Sequence, residues 1–362
     1  MPWKDVRLMS QREEFVGLSM VDGTCFADLC RRFGISRKTG YKWLKRYRSQ
    51  GRGGLADRSR RPRGSPARTP PAAEQAVVAL RLEHPAWGGR KLKRVLEREG
   101  LAEAPAPSTI TEILRRHEMI DPRESAARGP MRRFEHKRPN ALWQMDFKGD
   151  FALSAGGRCH PLSILDDHSR FAVCLRACAD QRRRPTQAAL IDTFRRYGLP
   201  DRMLMDNGSC WGAAPLSAWT QFTVWLVRRG VFVSHGRPYH PQTQGKCERF
   251  HRSLKAELIG RRAWSDLAQC RAALERWRDD YNLRRPHEAL GLDVPASRYA
   301  PSPRAYPEVL EAIEYAPGDE VRQARRNGSI KFRGALWAVG RAFAGEPLAV
   351  RPTGEDGCFE IY

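Results

Sequence analysis

The sequence predicts a multidomain chain, with N-terminal all-α helix-turn-helix modules, an α/β core and a small C-terminal β-barrel. Three observations predict it. Over the first 120 positions apolar residues recur at helical spacing among a dense run of basic side chains. From residue 139 the texture changes to strand-like runs, three in succession and then strands alternating with helices. After residue 310 the apolar runs are short and split by Gly.

With 362 residues the chain suits roughly two to four domains. Hydrophobic residues make up 41% of it, including 14 Phe and 10 Trp, which excludes global disorder. Sixty-four Lys and Arg against 41 Asp and Glu give a net +23, the balance of a protein with a polyanionic partner. The charge is concentrated. Residues 31–68 hold fourteen Lys or Arg against the single acid Asp57, a net +13. A solvated face mixes signs, whereas such a stripe is the footprint of phosphate binding. Nine cysteines show no Cys-x-x-Cys spacing, so buried, reduced thiols are expected rather than a zinc site or a disulfide framework. The start, MPWKDVRLMSQREEF, lacks an apolar run and no 18-residue apolar stretch occurs, so a cytosolic protein is expected, neither exported nor membrane-spanning.

Ser10 and Glu13 form a capping-box pattern that predicts the start of a first helix, carrying Phe15 and Leu18. Phe26, Leu29, Cys30 and Phe33 share one face of a second helix. Gly34-Ile35 is a tight turn and Ser36 a cap for a third helix, RKTGYKWLKRY. Arg37, Lys38, Lys42, Lys45 and Arg46 stud that third helix, as a major-groove reader requires. Gly40 weakens it, and close contact with a preceding helix would explain the glycine. Val77, Leu80 and His84, then Leu92, Val95 and Leu96, then Ile110, Ile113, Leu114 and His117 mark three more helices, the last capped by Ser108. They read as a second helix-turn-helix-like module.

The core strands are expected at ALWQMDF, HPLSILD, RFAVCLR, RMLMD and VFVSH, with helices at TQAALIDTFRRYG and LSAWTQFTVWLVRRG. A later helix carries Leu267, Cys270, Leu274, Trp277 and Tyr281. The runs IKFRGALWAV, EPLAV and CFEIY suggest the barrel. The predicted division is 1–62, helix-turn-helix; 63–71, basic linker; 72–122, second module; 123–138, basic linker; 139–262, catalytic core; 263–300, helical extension; 301–362, β-domain.

Three acids lie where a metal site needs them. Asp146 sits in the strand WQMDFKG, and Asp206 ends the strand RMLMD before the turn Asn207-Gly208. Glu248 lies on a helix whose apolar face is Phe250, Leu254 and Leu258, while Glu248, Arg252 and Lys255 share a polar face. Clustered carboxylates repel unless a divalent cation neutralises them, and oxygen-only ligands suit Mg²⁺ or Mn²⁺. Two such ions about 3.5–4 Å apart would hold the attacking and leaving oxygens of a phosphodiester displacement. Taken singly, an Asp at a strand end is a turn former and a Glu on a helix a solvated face. Asp166-Asp167 reads as a hairpin turn, and neither His240 nor His251 is assigned a catalytic role.

WQMDF, MDNG and HPQTQGKCERFHRSLKAE, in that order, resemble the catalytic core of the retroviral-integrase superfamily, specifically insertion-sequence DDE transposases. YNLRRPHEALGLDVPASRY resembles the segment that follows the core in bacterial members, and GISRKTGYKWLKRY and AWGGRKL resemble their N-terminal modules. The resemblance implies a ribonuclease-H-like core with Asp146, Asp206 and Glu248 as catalytic metal ligands. It implies release of 3′-OH ends and their attack on target DNA, DNA contacts from Arg252 and Lys255, and at least a dimer on double-stranded DNA. Two departures stand out. Forty-one residues separate Asp206 from Glu248, a longer interval than usual, with the excess expected in SCWGAAPLS. The zinc-binding module of retroviral integrases is missing, so no zinc is expected. A DNA-binding repressor with a dead core and a plain nuclease of the same fold are the rival readings.

Overall fold

The computed structural model describes residues 8–58, 69–120, 135–206, 211, 219–235 and 245–362. The chain divides into two compact units, residues 1–68 and 69–362. Among the described residues no helix is long and apolar enough to cross a membrane.

The first unit contains α1 (Leu8–Ser19), α2 (Phe26–Arg32) and α3 (Arg37–Gln50). Phe15, Val16, Leu29, Cys30, Ile35, Trp43 and Leu44 fill its core, with Phe26 and Phe33 packed against it. The expected face of the second helix is the buried one. Ser36 caps α3, its Oγ accepting from Thr39 N at 3.2 Å. Ser10 lies within α1 rather than ahead of its first turn, because the chain is already helical at Leu8. Gly40 is where α1 and α2 meet α3: a Cβ there would lie 2.8 Å from Phe15 Cζ and 2.9 Å from Cys30 Sγ. The glycine's cost to the helix is thus offset by close packing.

The second unit begins with α4 (Pro71–Glu83), α5 (Gly89–Arg98) and α6 (Pro107–Arg116). Their core is Val77, Leu80, Trp87, Leu92, Val95, Leu96, Ile110, Ile113 and Leu114. Ser108 is not a cap; Pro107 opens α6, because its fixed φ and missing N–H suit a first helical turn. Of the two predicted linkers, residues 63–68 and 123–134 lie outside the described residues.

A mixed sheet follows, made of β1 (Trp143–Phe147), β2 (Phe151–Ala152), β3 (Arg158–Asp166), β4 (Ala172–Cys178), β5 (Arg202–Met205) and β6 (Phe232–His235). β1 pairs antiparallel with β3 and parallel with β5; β3 also carries β2 and β4, and β6 lies parallel beyond β5. One face packs on α7 (Arg183–Tyr197) and α8 (Gln221–Val227) through Trp143, Met145, Leu190, Phe194, Phe222 and Leu226. The other face packs on α9 (Gly245–Glu257) and α10 (Leu267–Leu283) through Leu165, Leu175, Phe250, Leu254, Leu274 and Trp277. α8 is shorter than its apolar run, opening at the Thr220 cap. Alternate residues of β1 therefore face opposite helix layers, which puts Gln144 and Asp146 on the α9 side.

The segment after α10 docks the α4–α6 module. Arg284 pairs with Glu83 and Glu99, Asp293 with Arg94 and Arg98, and Arg90 with Glu288.

The C-terminal strands do not close into a barrel. β7 (Glu320–Gln323), β10 (Pro347–Pro352) and β11 (Phe359–Ile361) form a three-stranded sheet, while β8 (Ser329–Phe332) and β9 (Ala335–Ala338) form a separate hairpin. Closure needs an unbroken ladder around the barrel. Here β9 is solvent-exposed along its length, with Leu336 and Trp337 more than half exposed. Among the described cysteines, Cys30, Cys159, Cys174, Cys178, Cys247 and Cys270 are buried free thiols, and Cys25 and Cys358 are exposed.

Candidate active site

The parallel register of β1 on β5 pairs Trp143 with Met203 and Gln144 with Leu204. Extended by two residues, the same register sets Asp146 beside Asp206, side chains on one face. α9 crosses that face. Cys247 Sγ lies 3.7 Å from Gln144 O, and His251 Nδ1 lies 3.7 Å from Asp146 Oδ2. Glu248 follows Cys247 on the exposed side of the helix.

The electrostatics record this gathering. Burial, and then the charges of Asp206 and Glu248, push the Asp146 carboxyl up to about 7. Asp206 and Glu248 are thus both within electrostatic reach of Asp146. The three do not close into a cage: among the described residues no three His, Cys, Asp or Glu side chains converge at ligand distance. Asp206 Oδ1 instead accepts from Trp211 Nε1 at 2.6 Å, and Trp211 stacks on Phe147 with ring centroids 5.3 Å apart.

His251 is buried, with Nε2 2.6 Å from Ser163 Oγ, which itself donates to the Asp146 carbonyl at 3.0 Å. Burial and the Lys148 charge hold its pKa down to about 3, so it is a neutral spacer between α9 and β1. His240, Asn207 and Gly208, and most of SCWGAAPLS lie outside the described residues.

The raised carboxyl has a consequence for stability. Its folded pKa lies above the unfolded value, so ionisation costs stability that is present below about pH 4 and lost as pH rises through about 7. In a chelator, Asp146→Asn should melt above the wild type at pH 8, by up to about 4 kcal/mol. The gap should close by pH 4. Melting curves across that range check this.

Asp166-Asp167 stands between β3 and β4, where a turn was expected, but both side chains are fully buried rather than solvated. Asp166 makes the turn, accepting from Ser169 N and Oγ and from Asn140 N. Asp167 reaches Gln144 and Lys246 instead. Trp211 was not singled out in the sequence, and His251 and Asp167 were given no part in the site, because their partners Ser163 and Lys246 lie 88 and 79 residues away.

On α3, Arg37, Lys38, Lys42 and Lys45 are exposed and Arg46 is half-buried over the Trp43 ring, 5.0 Å from its centroid. Among the described residues none of the five pairs with a carboxylate. Arg252 and Lys255 are exposed on α9, and the intrahelical pair open to Glu248 and Arg252 is not formed.

Comparison with known proteins agrees with this layout. Two models described as Integrase core domain match residues 136–241 and 229–295. A Helix-turn-helix domain matches 11–63, a Homeodomain-like domain 39–114, and the IS481 family transposase C-terminal domain 319–362. The chain is 28% identical over 253 residues to the Insertion element IS407 uncharacterized 31.7 kDa protein of Burkholderia multivorans, covering 67% of this chain and 88% of that protein. It is 26% identical over 298 residues to the Insertion element IS476 uncharacterized 39.2 kDa protein of Xanthomonas euvesicatoria, covering 68% and 82%. The catalytic core domain of BIV integrase overlays with 22% identity on 44% of this chain and 92% of its own, at a TM-score of 0.33, too loose to carry weight. The family models and the relatives agree: the chain carries helix-turn-helix domains ahead of an integrase core and resembles the transposases of insertion sequences.

Proposed function

We propose that this chain is a transposase that binds the double-stranded ends of a mobile element, cleaves them and joins them to target DNA in a metal-dependent reaction. The observation that carries the reading is Asp146, half-buried beside Asp206, its carboxyl raised by desolvation and then by the charges of Asp206 and Glu248. A carboxylate trio that repels itself suits divalent cations, and its oxygen donors suit Mg²⁺ or Mn²⁺ rather than zinc. Two such hard cations held there would supply charge stabilisation to both the attacking and the leaving oxygen of a phosphodiester displacement. Asp146 and Asp206 supply ligands from adjacent strand ends and Glu248 from the helix above them. The α3 cations Arg37, Lys38, Lys42, Lys45 and Arg46 bind the element end, and Arg252 and Lys255 hold its terminus near the carboxylates. The seven-part division read from the sequence and an assembly of at least two copies on paired ends belong to the same proposal.

Incubating the chain and Mg²⁺ with its element's end and a supercoiled plasmid tests it, joined products being the expected result. Binding without cleavage would favour a repressor, and cleavage without joining a plain nuclease. Lys255→Ala should lower strand transfer at least tenfold, about 1.4 kcal/mol, because an exposed cation near Glu248 acts on DNA. Its melting temperature should not move; unchanged transfer with lowered stability would assign Lys255 to the fold instead.

A further inference from the structure

A hairpin turn needs no second acid here. Asp166 already satisfies the turn, through Ser169 N, Ser169 Oγ and Asn140 N. Asp167 is nevertheless fully buried, and its carboxylate points elsewhere. One oxygen accepts from Gln144 Nε2 at 2.8 Å and from Lys246 Nζ; the other accepts from His136 N at 2.8 Å. Its backbone is fixed as well, with N donating to Leu142 O at 2.9 Å and O accepting from Lys246 Nζ at 3.1 Å.

The two side chains it grips have meaningful positions. Gln144 lies on β1 two residues before Asp146, on the same face of the strand. Lys246 lies in the first turn of α9, two residues before Glu248. Local helix physics disfavours a lysine there, since the N-terminal end of a helix repels cations and burial adds to the cost. Its ion pair with Asp167, the two side chains 16% and 0% exposed, accounts for its presence. One carboxylate thus ties together the strand that bears Asp146 and the helix turn that bears Glu248.

We propose that Asp167 is a positioning residue which, through Lys246 and Gln144, sets Glu248 at the right height over Asp146 for the two to share metal. It touches neither DNA nor the reacting atoms. The role rests on the metal-site reading given above. Groups that orient the ligands of a metal typically change its affinity 10–100-fold when removed.

Mn²⁺ binding to the full-length chain, followed by the loss of the free-ion paramagnetic resonance signal, tests this without relying on activity. Asp146→Asn is the control and should abolish binding. Asp167→Asn and Lys246→Met should each raise the Mn²⁺ concentration for half-saturation 10–100-fold. Lys246→Arg keeps the ion pair and should bind within a few fold of the wild type. If Asp167→Asn alone unfolds, the double variant Asp167→Asn/Lys246→Met leaves no orphan charge and should fold yet still bind weakly. A merely stabilising pair would lower the melting temperature and leave the Mn²⁺ curve of the folded chain unmoved. Wild-type binding in Asp167→Asn and Lys246→Met, with loss in Asp146→Asn, overturns the proposal and spares the metal site. Undiminished binding in Asp146→Asn overturns the metal-site reading itself, and the proposal with it.

Discussion

DNA cleavage should fall by several orders of magnitude in Asp146→Asn, Asp206→Asn and Glu248→Gln, while affinity for end DNA stays within a few fold. Each change removes one charge and keeps the side chain's shape, so the fold should survive. The three are not equivalent in the free chain. Asp146 and Asp206 are both half-buried, and the Asp146 carboxyl is the one raised to about 7. Asp206 already accepts from Trp211 Nε1, and Glu248 is exposed. Loss of the Asp146 charge should therefore relieve repulsion and stabilise the metal-free chain most. Parallel cleavage and binding titrations on one preparation decide the matter. Turnover like the wild type in any of the three would remove that residue from the site.

End-DNA affinity of the full chain should fall roughly 10³–10⁵-fold between 50 and 200 mM salt, if its cations meet around 6–10 phosphates. The expectation rests on the run of fourteen basic residues between 31 and 68 and on the exposed α3 cations. Replacing Arg37 or Lys38 by Ala should also blur sequence preference, by about 1–3 kcal/mol for each one that reaches a base edge. A nearly flat salt response would show that the basic stripe is not a DNA contact. The full chain is the right object for this measurement, since α4–α6 is tied to the segment after α10 by Arg284 and Asp293. A fragment ending near residue 122 would leave those pairs broken.

The helices were legible because their signals are local. Leu29 and Cys30 follow Phe26, Leu80 follows Val77, and Ile113 and Leu114 follow Ile110 at the three- or four-residue spacing that a helix turns to one side, and all but the half-buried Phe26 are buried. The five main strands were legible for a similar reason, and β2, only two residues long, was not. The caps were less secure. Ser36 caps its helix, but Ser10 lies inside α1 and Ser108 inside α6, since helix starts also depend on neighbours such as Pro107. The barrel failed because closure is a long-range property of hydrogen bonding between strands, and short apolar runs carry no information about it.

What the sequence determined by itself was the kinds of element and their order, since periodicity is written in consecutive residues; motif spacing added three acids as candidates for the site. Tertiary structure alone decided which of those acids are drawn away from solvent: Asp146 and Asp206 are half-buried and Glu248 is exposed. Only the β1–β5 register sets Asp146 beside Asp206, and only the packing of α9 on that sheet brings Glu248 within electrostatic reach. It also turned Asp166-Asp167 from a surface turn into two buried anchors, one of them paired with Lys246 from another element. The physical reason is the same in each case. Desolvation and charge coupling depend on distance in space, and residues 60 or 80 positions apart in a chain acquire that distance only when the sheet and its helices assemble.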